Sequence, residues 1–225
     1  MLLGLEKGRR TATETFLNAL FFLTRIMVEV KTFGKWTTEG IKVVDTGLAD
    51  YISLKAPFVP RTGARYAQQK FHKSRVFIVE RLMNKLMVPG HKSKKHKITS
   101  YTMTGKSNQV YDIVEDVLVN IEHKTKENPI KVFVQAVENA APREEIISIE
   151  YGGARYPKAV DCSPQRRVDF AIKHMIQGSY QKSFNTKKGI VTTLTDEILA
   201  AYQSNQVSNA ISKKLEIERQ ADASR

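Results

Sequence analysis

Residues 146–161 read IISIEYGGARYPKAVD, a pattern unlike the rest of the chain. Before the paired glycines, Ile147 and Ile149 alternate with polar residues, which is the period of a β-strand. A second extended run follows Gly152 and Gly153, and paired glycines are favoured in a tight hairpin turn. We therefore predict a β-hairpin over about residues 146–161. An ordinary surface hairpin and an arm that contacts a nucleic-acid groove or a partner both fit this pattern.

The sequence on both sides of the hairpin shows helical periodicity. Apolar residues recur at the spacing of one helix face in six segments. These segments cover residues 79–86, 110–121, 132–140, 168–176, 190–201 and 207–215. Ser107 is placed to cap the second segment, and Asn128 followed by Pro129 supplies a cap and a first-turn proline for the third. The predicted fold class is mainly α, a helical bundle body with a protruding β-hairpin.

The charge of the chain is large and unevenly distributed. Its 225 residues include 36 Lys and Arg against 23 Asp and Glu, a formal net charge of +13. There is no acidic residue between Asp50 and Glu80, between Glu80 and Asp112, or between Asp169 and Asp196. Segregated charge creates a one-sided positive field, which favours a polyanion as partner. Nucleic acid is the predicted class of ligand.

The residues do not suggest an enzyme, a metal site or a cofactor site. The sequence contains no phosphate-binding loop or dinucleotide fingerprint, and Gly152-Gly153 is interpreted as a turn. His91 and His96 lack the accompanying ligands of a structural metal site. The single cysteine, Cys162, excludes an internal disulfide and is interpreted as a small buried residue. The apolar run of residues 16–23 is far shorter than the roughly 20 residues of a membrane span, so no membrane is expected as partner.

Five motifs occur in order along the chain. They are VERLMNKLM at residues 79–87, ENP at 127–129, PRE at 142–144, GGARYP at 152–157 followed by SPQRR at 163–167, and AISKKLEIER at 210–219. This series resembles the universal small-subunit ribosomal protein S-seven family, and the resemblance covers about residues 30–225. FGKW at 33–36, DYI at 50–52 and GARYA at 63–67 are similar to its eukaryotic cytosolic type, which is called small-subunit protein five.

The resemblance implies a structural protein that binds the 3′ major (head) domain of small-subunit rRNA and supports head assembly. It also implies neighbouring head proteins as partners, with exit-site tRNA and the mRNA exit channel nearby. The implied location is the cytoplasmic ribosome, with assembly in the nucleolus if the chain is eukaryotic. The alternative is a free-standing architectural or regulatory nucleic-acid-binding protein, which the charge and the hairpin fit equally well.

The resemblance also suggests a division of the chain. Residues 27–74 are expected to form an irregular N-terminal extension with short strands, because β-branched residues surround the FGKW motif. Residues 75–225 are expected to form the helical rRNA-binding core. Residues 1–26 match nothing in the family, and we hypothesise that Met27 is the physiological start. The segment from Lys92 to Asn108 is longer than the family's loop at this place, and residues 93–106 are interpreted as a lineage-specific basic insertion.

Phosphate contacts need long cationic side chains, and the arginine fork adds bidentate geometry. Four groups of such side chains are predicted to bind rRNA, although any single lysine could be a solvated surface charge. They are Arg61, Arg65, Lys70 and Lys73; Lys92, Lys94, Lys95 and Lys97; Arg155 and Lys158; and Arg166, Arg167 and Lys173. Tyr66 and Tyr156 are candidates for stacking on unpaired bases, against ordinary packing as the alternative.

Overall fold

The computed structural model describes residues 30–92, 95–96, 100 and 103–225. Within these ranges the chain forms eight helices and four strands, so the prediction of a mainly α fold with a β-hairpin is confirmed. The elements are α1 (Thr46–Ala49), α2 (His72–Arg75), α3 (Ile78–Leu86), β1 (His91–Lys92), β2 (Lys95–His96), α4 (Ser107–Thr125), α5 (Pro129–Ala140), β3 (Glu144–Tyr151), β4 (Ala154–Asp161), α6 (Pro164–Ser183), α7 (Ile190–Tyr202) and α8 (Asn209–Asp222). Residues 1–26 and the hypothesised start at Met27 lie outside the described residues.

Of the two helix starts predicted from capping residues, one is confirmed and one is wrong. The side chain of Asn128 accepts a hydrogen bond from the backbone N–H of Ile130 at 3.0 Å, and Pro129 occupies the first helical position, as predicted. The prediction that Ser107 caps α4 is wrong. Ser107 is itself the first residue of α4, and Lys106 occupies the cap position without a side-chain hydrogen bond.

The body is built around α7, which packs against α4, α5 and α6. The apolar stripes predicted from periodicity are largely buried in five of the six segments. In the sixth segment, 207–215, Ile211 is buried, whereas Val207 and Leu215 are exposed. Phe133, Ile121, Met175 and Ile198 are completely buried where these four helices meet. Burial of this apolar surface is the main force that holds the helices together. Among the described residues, no helix is long and apolar enough to cross a membrane.

The helical body also contains a buried carboxylate. Glu197 in α7 is fully buried, and its Oε1 accepts hydrogen bonds from Ser208 Oγ at 2.9 Å and from the Ala210 N–H at 3.3 Å. Its Oε2 accepts from Lys182 Nζ at 2.7 Å. Gly178 allows the close approach of α6 to this site, because a Cβ there would lie 2.5 Å from the Cβ of Asn209.

Residues 31–74 lie on the helical body, and Lys31–Arg225 form one compact unit. Trp36 Nε1 donates a hydrogen bond to Glu122 Oε2 at 2.9 Å, and the Phe33 ring lies 4.5 Å from that of Tyr111. In place of the expected short strands, residues 30–77 contain two isolated bridges and the four-residue helices α1 and α2. Phe33 and Gly34 both have positive φ, which closes a tight turn where an extended strand was expected. The division into an extension and a core at residue 75 stays a prediction.

The hairpin over β3 and β4 is antiparallel, with Glu144 opposite Asp161 and Tyr151 opposite Ala154. It begins two residues earlier than predicted. Gly152 and Gly153 have φ of 58° and 82°, the two positive values that a type I′ turn requires. The base of β3 packs against α8, whereas the distal half of the hairpin is exposed on both strands. The hairpin therefore protrudes from the body.

Candidate nucleic-acid interface

The two predicted cations of the hairpin lie on opposite faces. Residues directly opposite in an antiparallel pair point to the same side of the sheet. Ile149 pairs with Tyr156 and Ile147 with Lys158, so these four side chains share one face. Arg155 shares the other face with its partner Glu150, at an ion-pair distance of 3.7 Å. One face thus presents an aromatic ring and a lysine, and the other an arginine whose charge is partly compensated.

The first turn of α6 carries two adjacent arginines in different environments. Arg166 is 62% exposed and forms an ion pair with Glu145 at 2.6 Å. Arg167 is only 12% exposed. Its Nε donates to the carbonyl of Pro142 at 3.0 Å, and its Nη2 donates to Asp45 Oδ2 at 2.7 Å.

The structure therefore places Arg167 largely inside the fold, where Nε and Nη2 each donate to another part of the chain. Burial of Asp45 opposes its ionisation. The hydrogen bonds that it accepts from Arg167 and from the Gly47 N–H nevertheless lower its pKa below the usual value. Arg167 therefore has a structural role in this fold, and its role as an rRNA contact stays a prediction. Lys173, two turns further along α6, is half-buried and interacts within the chain.

Two of the four predicted N-terminal cations line a cavity of about 760 Å³. Arg61 and Lys73 line it, together with Lys85 of α3 and the N-terminal residues Ser107 and Asn108 of α4. Arg61 Nη1 donates to Asn108 Oδ1 at 3.4 Å, and Lys73 Nζ donates to Asp169 Oδ2 at 3.1 Å. The structure thus brings together cations that are far apart in sequence.

Two further cations line this cavity and were not predicted as site residues. Lys85 lies in the sequence between Glu80 and Asp112, which contains no acidic residue. That position could have identified Lys85 as a candidate site residue. Arg81 is 8% exposed and donates to the Tyr51 carbonyl at 3.0 Å and to Asp169 Oδ1 at 2.9 Å. Arg81 therefore belongs to the fold and not to an exposed interface.

The remaining predicted side chains fall into two sets. Arg65 and Lys70 are exposed, and Tyr66 and Tyr156 are 48% and 58% exposed, so neither tyrosine is packed in the core. Their stacking on bases stays a prediction. The second set is the basic loop, which contains the predicted contacts Lys92, Lys94, Lys95 and Lys97. In this loop the backbones of Lys92 and Lys95 pair across β1 and β2. Lys94, Lys97 and the side chains of Lys92 and Lys95 lie outside what the structure describes.

The chemistry of the described side chains gives no support to catalysis. Cys162 is 6% exposed, and burial followed by the charge of Glu145 raises the pKa of its thiol to about 11. A protonated, buried thiol is a poor nucleophile. Within the described ranges, no group of three or more His, Cys, Asp or Glu side chains could hold a metal ion.

Comparison with known proteins agrees with the resemblance. The family model described as "Ribosomal protein S7p/S5e" matches residues 48–225. A small ribosomal subunit protein uS7 of Nanoarchaeum equitans is 50% identical over 198 residues, covering 88% of this chain and all of the relative. The uS7 of Methanothrix thermoacetophila is 43% identical over 196 residues, covering 87% of this chain and 100% of the relative. The uS7 of Archaeoglobus fulgidus is 42% identical over 197 residues, covering 88% and 96%.

These relatives are archaeal, so they give no support to the predicted eukaryotic cytosolic type, which stays a prediction. The matched family is structural and not enzymatic, and the prediction that the chain is not an enzyme is thereby confirmed. Since the family model matches more than half of the chain, the chain belongs to the ribosomal protein S7p/S5e family.

Proposed function

We propose that the chain is a structural constituent of the small ribosomal subunit that binds the 3′ major (head) domain of small-subunit rRNA and supports assembly of the head. The observation that carries this proposal is the exposure of cations in the sequence between Asp50 and Glu80, which contains no acidic residue. Its cations Arg61, Arg65 and Lys70 remain exposed, and the surrounding segment offers them no carboxylate. An exposed, uncompensated positive surface is what a phosphate backbone binds.

The rRNA contacts proposed from the structure are the exposed members of the predicted groups, the half-buried Lys173 and one addition, the half-buried Lys85. The exposed members are Arg61, Arg65, Lys70, Lys73, Arg155, Lys158 and Arg166. The basic-loop residues Lys92, Lys94, Lys95 and Lys97 stay predictions. Arg81 and Arg167 are assigned to the fold.

The finer placement on the ribosome is also a proposal. The hairpin protrudes from the body and presents Tyr156 and Lys158 on one face. Such an arm fits a role near exit-site tRNA and the mRNA exit channel, beside neighbouring head proteins. The ribosome would place the protein in the cytoplasm, with nucleolar assembly only if the chain is eukaryotic.

The test is binding of the purified chain to a head-domain rRNA fragment across a salt series, with duplex DNA as competitor. We expect preference for the rRNA and a steep fall in affinity with salt. Six to ten phosphate contacts cost roughly a thousandfold or more between about 50 and 200 mM salt. The double variant Arg155→Gln, Lys158→Gln should lower the slope of log affinity against log salt by about 2, about 1 for each lost contact.

The matched control neutralises two exposed lysines on the helical body, each of which forms an ion pair with a carboxylate. Lys124 pairs with Asp196 at 2.8 Å, and Lys131 pairs with Glu127 at 3.1 Å. The variant Lys124→Gln, Lys131→Gln should leave the salt slope unchanged if the hairpin cations contact phosphate. Equal competition by duplex DNA at every salt concentration would favour the alternative of a free-standing nucleic-acid-binding protein.

A further inference from the structure

Residues 63–71 form a loop that the fold holds outside the body. All nine residues of this 63–71 loop are exposed, and none is acidic. The loop is made of consecutive turns, in which Ala67 N–H bonds to the Ala64 carbonyl and Gln69 N–H to the Tyr66 carbonyl. The chain here projects as a compact, turn-rich surface feature.

Both ends of the 63–71 loop are fixed to the body. Before it, the backbone N–H and the hydroxyl of Thr62 both donate to Glu80 Oε1, at 2.8 and 2.7 Å. Glu80 is only 2% exposed, so this attachment is buried. After it, Lys73 pairs with Asp169 at 3.1 Å, and Arg75 braces the loop by donating to Gln69 Oε1 at 2.7 Å. The loop is therefore presented in a defined position.

The loop exposes two aromatic rings. Tyr66 is 48% exposed and Phe71 is 68% exposed. Phe71 also has φ 56° and ψ 25°, the left-handed region that a bulky side chain rarely adopts. Neither burial nor backbone preference accounts for a phenylalanine at this position. A ring that is held at the surface against both tendencies is best explained by what it contacts there.

The charge around the rings identifies the chemistry of that contact. Arg65 precedes Tyr66, Lys70 precedes Phe71, and both cations are exposed. Alternation of aromatic rings with cations is the pattern that binds single-stranded nucleic acid, because bases stack on the rings while the cations contact the phosphates. A duplex would need the cations but not the rings, since its bases are already stacked.

We propose that the 63–71 loop binds unpaired nucleotides of small-subunit rRNA, with Tyr66 and Phe71 stacking on bases and Arg65 and Lys70 contacting the adjacent phosphates. This inference rests on the proposed function and adds to it the state of the RNA that the loop recognises. A protein partner would also fit exposed rings. RNA is favoured because no carboxylate lies between residues 51 and 79 to complement a basic or mixed protein surface.

The test compares the full chain with two double variants. Tyr66→Leu, Phe71→Leu removes both rings, whereas Tyr66→Trp, Phe71→Trp keeps an aromatic surface at each position. Each is titrated with a 12-nucleotide single-stranded RNA of mixed sequence, a 12-base-pair RNA duplex and the head-domain rRNA fragment. A thermal melt of each variant shows that the protein is folded, since the substituted side chains lie outside the core.

We expect the leucine variant to lose about tenfold in affinity per ring for the single strand and for the rRNA fragment. Its affinity for the duplex and its salt slope should be those of the unsubstituted chain. The tryptophan variant should retain binding to all three RNAs.

Two outcomes would overturn the inference. The first is unchanged affinity of the leucine variant for every RNA, even where the unsubstituted chain prefers the rRNA fragment over DNA; the exposed rings would then favour a protein partner. The second is an equal loss of affinity for single strand and duplex. Failure of the proposed function is distinct, because the unsubstituted chain itself would then bind duplex DNA as well as the rRNA fragment.

Discussion

The guanidinium of Arg167 lies 2.7 Å from a carboxylate oxygen of Asp45, a residue 122 positions earlier in the chain. Its Nε also donates to the carbonyl of Pro142 at 3.0 Å. One side chain thus joins the N-terminal segment, the turn before the hairpin and the start of α6. Its neighbour Arg166 is 62% exposed, because successive residues of a helix point about 100° apart.

Substitution of Arg167 should therefore affect stability more than RNA binding. Arg167→Gln leaves Asp45 Oδ2 and the Pro142 carbonyl without the donor that Arg167 supplies, and we expect a loss of about 2–3 kcal/mol in the free energy of unfolding. Arg166→Gln is the matched control, with an expected loss of about 1 kcal/mol or less. Urea denaturation measures both values. A larger loss in Arg166→Gln than in Arg167→Gln would contradict the structural assignment.

The buried carboxylate of Glu197 gives a second stability prediction. Glu197→Ala removes the acceptor of Ser208, Ala210 and Lys182 from a fully buried position, and should cost about 3–5 kcal/mol. Asp196→Asn alters the adjacent residue, whose side chain is 64% exposed and pairs with Lys124, and should cost about 1 kcal/mol or less. Chemical denaturation measures the free energy of unfolding of both variants. Similar losses would mean that the Glu197 cluster does not stabilise the packing of α6, α7 and α8.

The thiol of Cys162 gives a prediction about pH. Its pKa is raised from 9.0 to about 11 by burial and by the Glu145 carboxylate. At pH 8 it therefore holds roughly one-hundredth of the thiolate of an ordinary cysteine, and alkylation of the folded chain should be correspondingly slow. Mass spectrometry after timed alkylation measures this rate. Alkylation as fast as that of the urea-unfolded chain would contradict the burial of the thiol.

The same shift has a consequence for stability. Between pH 9 and 11 the unfolded chain loses a thiol proton that the folded chain retains, so the free energy of unfolding falls as pH rises through this range. The contribution is fully present below pH 9. Cys162→Ala should show a smaller fall over the same range, since the other groups titrate in both proteins. Parallel curves for the two proteins would show that the thiol makes no contribution.

The parts of the fold that follow from local sequence were predictable. The Gly152-Gly153 turn requires no information beyond its own dipeptide, and the apolar stripes of α4 to α7 identify the buried faces directly. The prediction of strands near Phe33 is wrong because this residue has a positive φ and closes a turn. The β-propensity of the surrounding residues gives no indication of that turn.

The candidate interface was predictable as groups of cations but not as individual residues. Arg166 and Arg167 are adjacent residues of the same type, and the direction in which each leaves the helix decides that Arg167, and not Arg166, reaches Asp45 and Pro142. Lys85 joins Arg61 and Lys73 around one cavity because α3, α4 and α6 meet there. Such long-range placement depends on tertiary packing, which no local pattern encodes.

The strained backbone of Phe71 allows stability and binding to be separated in one variant. Glycine adopts positive φ without a steric cost, whereas an L-residue in the left-handed region costs about 1–2 kcal/mol, so Phe71→Gly removes strain as well as the ring. Because the ring is 68% exposed, little packing is lost. Greater backbone freedom of glycine in the unfolded chain offsets part of the gain. We expect stability unchanged or higher by up to about 1 kcal/mol, together with a loss of about tenfold in affinity for single-stranded RNA.

Phe33 is the matched control, because it has φ 54° but is 9% exposed and lies against Tyr111. Phe33→Gly relieves the same backbone strain but leaves a cavity, so it should lose about 2–4 kcal/mol of stability even after the relief. Thermal unfolding measures the stability of both variants, and titration with single-stranded RNA measures the affinity of both. If Phe71→Gly loses stability as Phe33→Gly does, then the Phe71 ring packs against the body and its exposure for stacking is wrong. If Phe71→Gly keeps both stability and RNA affinity, the ring serves neither role and the strain at this residue has another cause.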